Sequence, residues 1–412
     1  MNIVIAGAGV AGITAAEAAR EADPKADIII FSRERDLLYF RPRLPEVAAG
    51  KVRQDAILVH PAEFYREKKL DVRLGESLAD IDLESRQIRG TTGSRLLFDR
   101  LLLACGAESN RPPLPGAQLP GVFAVRSLPD AVSLYYEASR SREAVLVGSG
   151  LLGLEMGYAL TVHGIEVNVL ERSDRILPRQ TTPRSAAKLQ KILEAKGFRF
   201  HLGRQAVRAE GRDRLEKVVL DSGEELQAQI LLLAAGIVPN LDLARLLKLK
   251  IDRAVTVDEY LETSIPGIYA AGDCAQSRDG FSGLWTISRS QGLIAGANMA
   301  APDRSARKIY EPVPPSTTLK AAGVDLTSSG NLDPGSKLTG LEAEDETSYR
   351  KVVLDSSGLV VGFTNLGTKK GNAELAKAVD CKVLPPEIRE GLTRMDFDFS
   401  LLKNLAPIQR PA

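Results

Sequence analysis

The chain carries the same glycine-rich loop twice. Gly7-Ala8-Gly9-Val10-Ala11-Gly12 follows the apolar run Ile3-Val4-Ile5-Ala6, and Gly148-Ser149-Gly150-Leu151-Leu152-Gly153 follows Ala144-Val145-Leu146-Val147. Each copy lies between a strand pattern and a helix pattern, the setting in which all three glycines are needed. The first permits a tight turn, the second lets the backbone approach a pyrophosphate, and the third lets the helix pack on the strand. The pyrophosphate would sit at a helix N-terminus, where unbonded N–H groups and the helix dipole favour an anion. Two cradles in one chain imply two dinucleotides that exchange electrons.

Composition narrows the partners. With 412 residues, the chain is long enough for two or three domains. A formal net charge of +1 and an aromatic content of 5% give no support for a nucleic-acid or membrane-surface partner. No apolar run approaches the roughly 20 residues of a membrane span. Met1-Asn2 runs straight into the first strand pattern, which leaves no room for a signal peptide and predicts a cytoplasmic protein. Cys105, Cys274 and Cys381 are far apart, with neither C-x-x-C nor zinc spacing, so no metal site is expected.

Along the chain, residues 1–31 read as a βαβ unit with a helix over Val10–Arg20 and a second strand over Ala26–Phe31. Asp71–Leu74, Leu78–Asp82 and Gln87–Arg89 read as small antiparallel strands. Phe98–Gly106 is a buried strand ending in a turn of small residues, and Arg111-Pro112-Pro113-Leu114-Pro115-Gly116 is a linker. A second βαβ unit covers about 144–171, its helix closed by Gly164. Gln229–Ala235 is another buried strand, and a helix is expected over Ser288–Met299. Pro312, Pro314 and Pro315 mark a second linker. Beyond it, Tyr349–Leu354 and Leu359–Leu366 form a hairpin pattern around Ser356-Ser357-Gly358.

Five segments now stand in order: the first glycine loop, the turn Leu101–Gly106, the second glycine loop, Leu233-Ala234-Ala235-Gly236, and Ile268-Tyr269-Ala270-Ala271-Gly272-Asp273. This order resembles the two-dinucleotide-binding flavoproteins of the pyridine nucleotide–disulfide reductase superfamily. The resemblance implies an α/β fold with two Rossmann-like dinucleotide-binding domains. An FAD domain over 1–111 and 236–312 would be split by an NAD(P)H domain over 112–235, with a small α+β domain over 316–412.

It also implies the ligands of each cradle. FAD would lie on Gly7, Gly9, Val10, Ala11 and Gly12, between Ala104-Cys105-Gly106 and Gly272-Asp273, with Asp273 accepting from a ribitol hydroxyl. The nicotinamide nucleotide would lie on Gly148, Gly150, Leu151, Leu152 and Gly153, beside Ala235-Gly236. The strand Val167–Leu170 delivers Glu171 where an acid can bind the adenosine ribose and repel a 2′-phosphate, favouring NADH over NADPH. Arg172, Arg175 and Arg179 offer the opposite chemistry nearby. On the flavin side, Glu34 is the expected ribose partner, and Arg33 an adenosine contact. Trp285 would border the flavin ring, and Gln291 would stand at the start of its helix, whose positive end faces the flavin.

A narrower resemblance rests on Leu38-Tyr39-Phe40-Arg41-Pro42-Arg43-Leu44-Pro45-Glu46. Disulfide reductases place a redox-active C-x4-C in this region, yet no cysteine precedes Cys105 here, and disulfide exchange requires a thiolate. The pattern instead resembles NAD(P)H:rubredoxin oxidoreductases and the flavin-binding part of NADH-dependent nitrite reductases. It implies hydride transfer from NADH to FAD, then single electrons to rubredoxin or a similar iron–sulfur protein. Basic residues Arg304, Arg307, Lys308, Lys369 and Lys370 could steer such a partner. Some relatives carry a lysine after the Arg-Pro that pairs with a glutamate following the second loop. Here the glutamate is Glu155 and the lysine's nearest match is Glu46, so Arg43 is expected to supply the cation. Cys105 and Cys274 read as small packing residues, and Cys381 has no assigned role. Two alternatives stay open: an NADH oxidase acting on oxygen species, and a flavin-bound redox sensor. The assembly is expected to be a monomer or homodimer.

Overall fold

The computed structural model describes residues 1–278, 280–312, 314–332 and 338–408. It divides into two compact units. Met1–Leu44, Val52–Ser109 and Ile237–Val313 form the first; Pro45–Lys51, Asn110–Gly236 and Pro314–Ala412 form the second.

The first unit is built on a five-stranded parallel sheet in the order Ile268–Ala270, Arg100–Leu103, Asn2–Ala6, Asp27–Ser32, Leu70–Leu74. A parallel sheet covered on both faces needs continuous apolar strands. Ile3, Val4 and Ile5 are accordingly fully buried, as are Leu101, Leu102 and Tyr269. Leu70–Leu74 corrects the sequence-based expectation: it is not part of the antiparallel group but pairs parallel with Asp27–Ser32. The antiparallel group is Leu78–Asp82, Gln87–Gly90 and Arg95–Leu97.

The helix Val10–Ala22 lies against the helix Trp285–Met299 through almost bare backbone. A Cβ added at Gly292 would fall 2.3 Å from the Ala11 carbonyl oxygen, and one at Gly296 would fall 2.1 Å from that of Ala15. Only glycine allows this approach.

In the second unit, a five-stranded parallel sheet repeats the same plan: Phe198–Leu202, Glu166–Glu171, Glu143–Val147, Ile230–Leu233 and Val122–Phe123. An antiparallel group, Ala206–Glu210, Lys217–Leu220 and Glu225–Gln227, again precedes the fourth strand. The helix Leu151–Val162 ends with Gly164 at φ 77°, as its position predicts. Chain order sets the two sheets apart. Counting from the strand before each glycine loop, the fifth strand of the first sheet, Ile268–Ala270 at its edge, comes from far downstream, and its counterpart at the edge of the second, Val122–Phe123, comes from upstream.

This unit also contains an antiparallel sheet ordered Ser316–Ala321, Val324–Gly330, Val360–Leu366, Tyr349–Leu354, Thr339–Glu344. Its strands bury Val352 and Phe363 against Leu375 and Leu402. The Thr182 hydroxyl donates to the buried Tyr349 hydroxyl at 3.1 Å, and Thr364 donates to the Gln180 carbonyl at 2.9 Å.

The helix contact predicts a sharp contrast. Gly296→Val should destabilise the protein by about 3 kcal/mol, because the added side chain meets backbone that cannot retreat. Leu293→Ala, on the same helix at 47% exposure, should cost under about 0.5 kcal/mol. Urea unfolding of the two variants checks this.

Candidate functional site

Each glycine loop does sterically what its spacing requires. In the first, a Cβ at Gly7 would lie 2.1 Å from the Ala104 carbonyl oxygen, and one at Gly12 would lie 1.9 Å from that of Gly7. A Cβ at Gly9 would meet nothing within 4 Å. The second loop repeats this. Added Cβ atoms at Gly148 and Gly153 would each lie 2.7 Å from a carbonyl oxygen, those of Ala234 and Gly148, while Gly150 faces open space. The outer glycines are locked by the fold, and the middle one leaves clear room at the start of a helix. A phosphate group fits that space, with the helix N-terminus to receive it.

In the first unit, the Gly-Asp turn returns to the loop. A Cβ at Gly272 would lie 3.0 Å from the Ala11 Cβ. The Gly272 N–H donates to the Gln291 Oε1 at 2.8 Å, and the Ser288 hydroxyl donates to Asp273 at 3.0 Å. The helix begins at Trp285, three residues earlier than expected, so Gln291 is not at its start. It is buried one turn further in and fixes the Gly272 backbone. Trp285 is the first helical residue and meets Phe40 edge to face at a 4.9 Å centroid separation.

Glu34 follows the strand end as expected, but its carboxylate receives Tyr39 Oη at 2.7 Å and pairs with Arg41. Burial works against the Arg41 charge, yet Tyr39, Glu34 and Asp273 outweigh it and raise the guanidinium above its usual range. Arg41 thus stands as a partly buried cation among the acids of this cradle. Arg33 is paired with Glu108. Arg307 proves unsuited to steering a partner: it is mostly buried and bonds Glu262 at 2.7 Å.

The second cradle is tied by Glu171. Its carboxylate accepts from the Ser149 N–H at 3.0 Å, the Ser149 hydroxyl at 2.6 Å and the Ser173 N–H at 2.9 Å. Burial pushes its pKa up, but these hydrogen bonds win and hold the carboxyl below the ordinary range. Glu171 therefore remains charged beside the loop. Arg172 and Arg179 are exposed, while Arg175 bonds Asp174 and the Pro178 carbonyl. Ser149 was missed in the sequence, although its place inside the loop was the available signal.

Glu155 is the fifth residue of its helix. Its Oε1 accepts from the Lys320 backbone N–H at 3.1 Å. Burial raises its pKa to about 7, with Glu46 adding to the rise, while the Lys320 N–H and charge oppose it. Arg43 belongs to the first unit, where it donates to the Ala56 carbonyl at 3.1 Å. The cation acting on Glu155 within its own unit is Lys320, which no sequence motif marked. Cys105 is partly exposed, and the buried Cys274 directs its thiol toward the Leu103 carbonyl at 3.3 Å and the Ala271 carbonyl at 3.5 Å. Among the described residues no helix is long and apolar enough to cross a membrane.

Residues 1–294 match the family model described as pyridine nucleotide-disulphide oxidoreductase, and the chain belongs to that family. Residues 315–383 match the model described as the rubredoxin NAD+ reductase C-terminal domain. The chain is similar to the rubredoxin-NAD(+) reductase of Pseudomonas putida, at 32% identity over 92% of this chain and 99% of that one. It is 30% identical to an NADH oxidase of Methanocaldococcus jannaschii, over 97% of this chain and 95% of the other. The solved structure of NADH:rubredoxin oxidoreductase from Clostridium acetobutylicum aligns at 26% identity with a TM-score of 0.77, covering 92% and 94% of the two chains.

The Glu155 carboxyl makes stability depend on pH. Its folded-state pKa of about 7 lies above the ordinary 4.5. The folded protein therefore holds this proton more tightly than the unfolded chain does. The resulting stabilisation is whole below pH 4.5 and is lost as the pH rises through about 7. Glu155→Gln should remove this part of the decline, seen as a flatter urea midpoint across the same window.

Proposed function

We propose that the protein is an NADH-dependent flavoprotein oxidoreductase that passes electrons to a small iron–sulfur carrier of the rubredoxin class. The observation that carries this is the pair of cradles, each with locked outer glycines and an open middle one. The residues present fit FAD in the first cradle: Gly9 opens at the helix start, Arg41 supplies a cation, and the Ala104–Gly106 turn and Asp273 flank the loop. They fit NADH in the second, where Glu171 carries a fixed negative charge unfavourable to a 2′-phosphate. When bound, FAD supplies the chemistry that couples two-electron donation by NADH to one-electron acceptors. The chain contributes positioning and electrostatics. Glu171 holds the second loop through Ser149, and Gln291 and Ser288 hold the Gly-Asp turn of the first.

Two further features favour the rubredoxin-class acceptor. One is the match of residues 315–383 to the rubredoxin NAD+ reductase C-terminal domain. The other is the lack of a cysteine before Cys105, which removes the disulfide route at the usual place. The similarity to an NADH oxidase along nearly the whole chain favours a second reading, direct reduction of oxygen. A cytoplasmic setting is supported by three cysteines without a disulfide among the described residues.

The acceptor is tested by steady-state NADH oxidation with rubredoxin, ferredoxin and oxygen compared side by side. A kcat/KM with rubredoxin at least about tenfold above the others is expected. A preference for oxygen would replace this reading with the second.

The cradle assignment is tested separately. Gly9→Val should leave the fold intact, since its Cβ meets nothing within 4 Å, but should abolish FAD retention. Gly150→Val should retain FAD and lose NADH binding. Flavin absorbance after gel filtration and titration with NADH distinguish the two, and the opposite pattern would reverse the assignment.

A further inference from the structure

The loop between Glu171 and the helix Pro183–Glu194 folds back onto the second cradle. Its Leu177 N–H donates to the Ser149 hydroxyl at 3.2 Å, and that hydroxyl donates to Glu171. Ser149 is thus a relay between the loop and the carboxylate. Leu177 makes this contact from the left-handed region, at φ 47°, with its side chain fully buried. A leucine keeps that conformation only where its surroundings fix it. The loop does part of the fixing itself. The Gln180 and Thr181 N–H groups donate to the Leu177 carbonyl, and the buried Thr181 hydroxyl lies 2.8 Å from the Ile176 carbonyl and 2.9 Å from that of Leu177. The rest comes from the antiparallel sheet of the same unit. The fully buried Thr364 hydroxyl donates to the Gln180 carbonyl, and the fully buried Tyr349 hydroxyl receives Thr182. Thr364 stands opposite Lys351, two residues from Tyr349, so both side chains leave one face of the sheet and grip the loop on either side of Thr181. Nothing in the proposed electron path uses either hydroxyl.

We propose that Thr364 and Tyr349 are positioning residues for nicotinamide recognition: through Gln180 and Thr182 they hold the loop that keeps Leu177 on Ser149, and so fix Glu171. The C-terminal sheet thereby takes part in choosing the nucleotide at the second cradle. This choice rests on NADH occupying that cradle; the hold on the loop does not.

Loss of the sheet's grip frees the C-terminal end of the loop. Leu177 then leaves the left-handed region, and its N–H leaves Ser149. The Ser149 hydroxyl, no longer oriented by that donor, turns away from Glu171. A carboxylate that has lost a donor is less firmly placed. It binds ribose hydroxyls less tightly and opposes a 2′-phosphate less. The freed loop also carries Arg172 and Arg179, both exposed, which can approach a 2′-phosphate once the loop moves.

The test compares the flavin-loaded protein with Thr364→Val, which removes the hydroxyl at nearly constant volume, and Thr364→Ser, which keeps it. Arg184→Ala serves as the control, since it breaks only the exposed ion pairs to Glu342 and Glu344 at the same junction. The first readout is limited trypsin digestion without nucleotide, mapped by mass spectrometry. Cleavage after Arg175 or Arg179 should be roughly tenfold faster in Thr364→Val, and close to wild type in Thr364→Ser and Arg184→Ala. The second readout is steady-state reduction of ferricyanide. Thr364→Val should raise the KM for NADH roughly tenfold with kcat nearly kept, and should narrow the preference for NADH over NADPH. Tyr349→Phe should move both readouts the same way, and decides the matter if Thr364→Val does not fold. Cleavage at the wild-type rate would overturn the hold on the loop, as would equal effects from Arg184→Ala. Faster cleavage with unchanged nucleotide preference would overturn the role in recognition. A wild-type protein that binds no NADH would end the second-cradle reading, while the trypsin map would still decide the hold.

Discussion

The first cradle depends on two helices that meet backbone to backbone at Ala11 and Gly292 and at Ala15 and Gly296. Ala11 and Ala15 face Gly292 and Gly296, leaving no room for a Cβ between them. Interiors at this packing density transmit position directly, since no side chain can rearrange to absorb a shift. The contact therefore sets more than the helix pair. Gly272 rests on the same Ala11, and Gln291, on the second helix, holds the Gly272 N–H. The placement of Asp273 relative to Gly9 follows from that geometry, although the two residues lie at opposite ends of a long insertion.

The two units show how one plan gives two unequal sites. Both sheets share a strand order, an antiparallel group before the fourth strand, and a glycine loop after the first. They part at the fifth strand. In the first unit it is Ile268–Ala270, which continues directly into the Gly-Asp turn. In the second it is Val122–Phe123, which precedes the loop in sequence and brings no such turn. The second loop is secured instead from its other side, by Glu171 gripping Ser149. The second loop is thus tied directly by a carboxylate, whereas the Gly-Asp turn of the first is tied by the neutral amide of Gln291.

The sequence made the loops, the split of the first sheet's chain and the Gly-Asp turn legible, because each depends on local steric demands that spacing records. Gly7, Gly9 and Gly12 have distinct duties that their order alone reveals. What was not legible depends on contacts between distant segments. Lys320 meets Glu155 from 165 residues away, and no local pattern announces it. The helix start at Trp285 was missed because Ser288 resembles an N-cap. Instead it lies inside the first turn, with its hydroxyl on Asp273. Leu70–Leu74 alternates like an antiparallel edge, yet it serves as the outer strand of the parallel sheet.

Within the second unit, Glu155 and Glu171 show how surroundings decide a charge. Both carboxyls are partly buried, and burial alone would neutralise both. Glu171 is rescued by donors aimed at both of its oxygens, from Ser149 and Ser173. Glu155 has one backbone donor, from Lys320, and a second acid, Glu46, that opposes its ionisation. The Lys320 charge does not make up the difference, so Glu155 titrates near neutrality while Glu171 stays ionised. A fixed charge suits recognition of a ribose and rejection of a phosphate, since it must not vary with conditions. The same residue type is thereby held in two different ionisation states by the number of N–H and O–H groups that reach it.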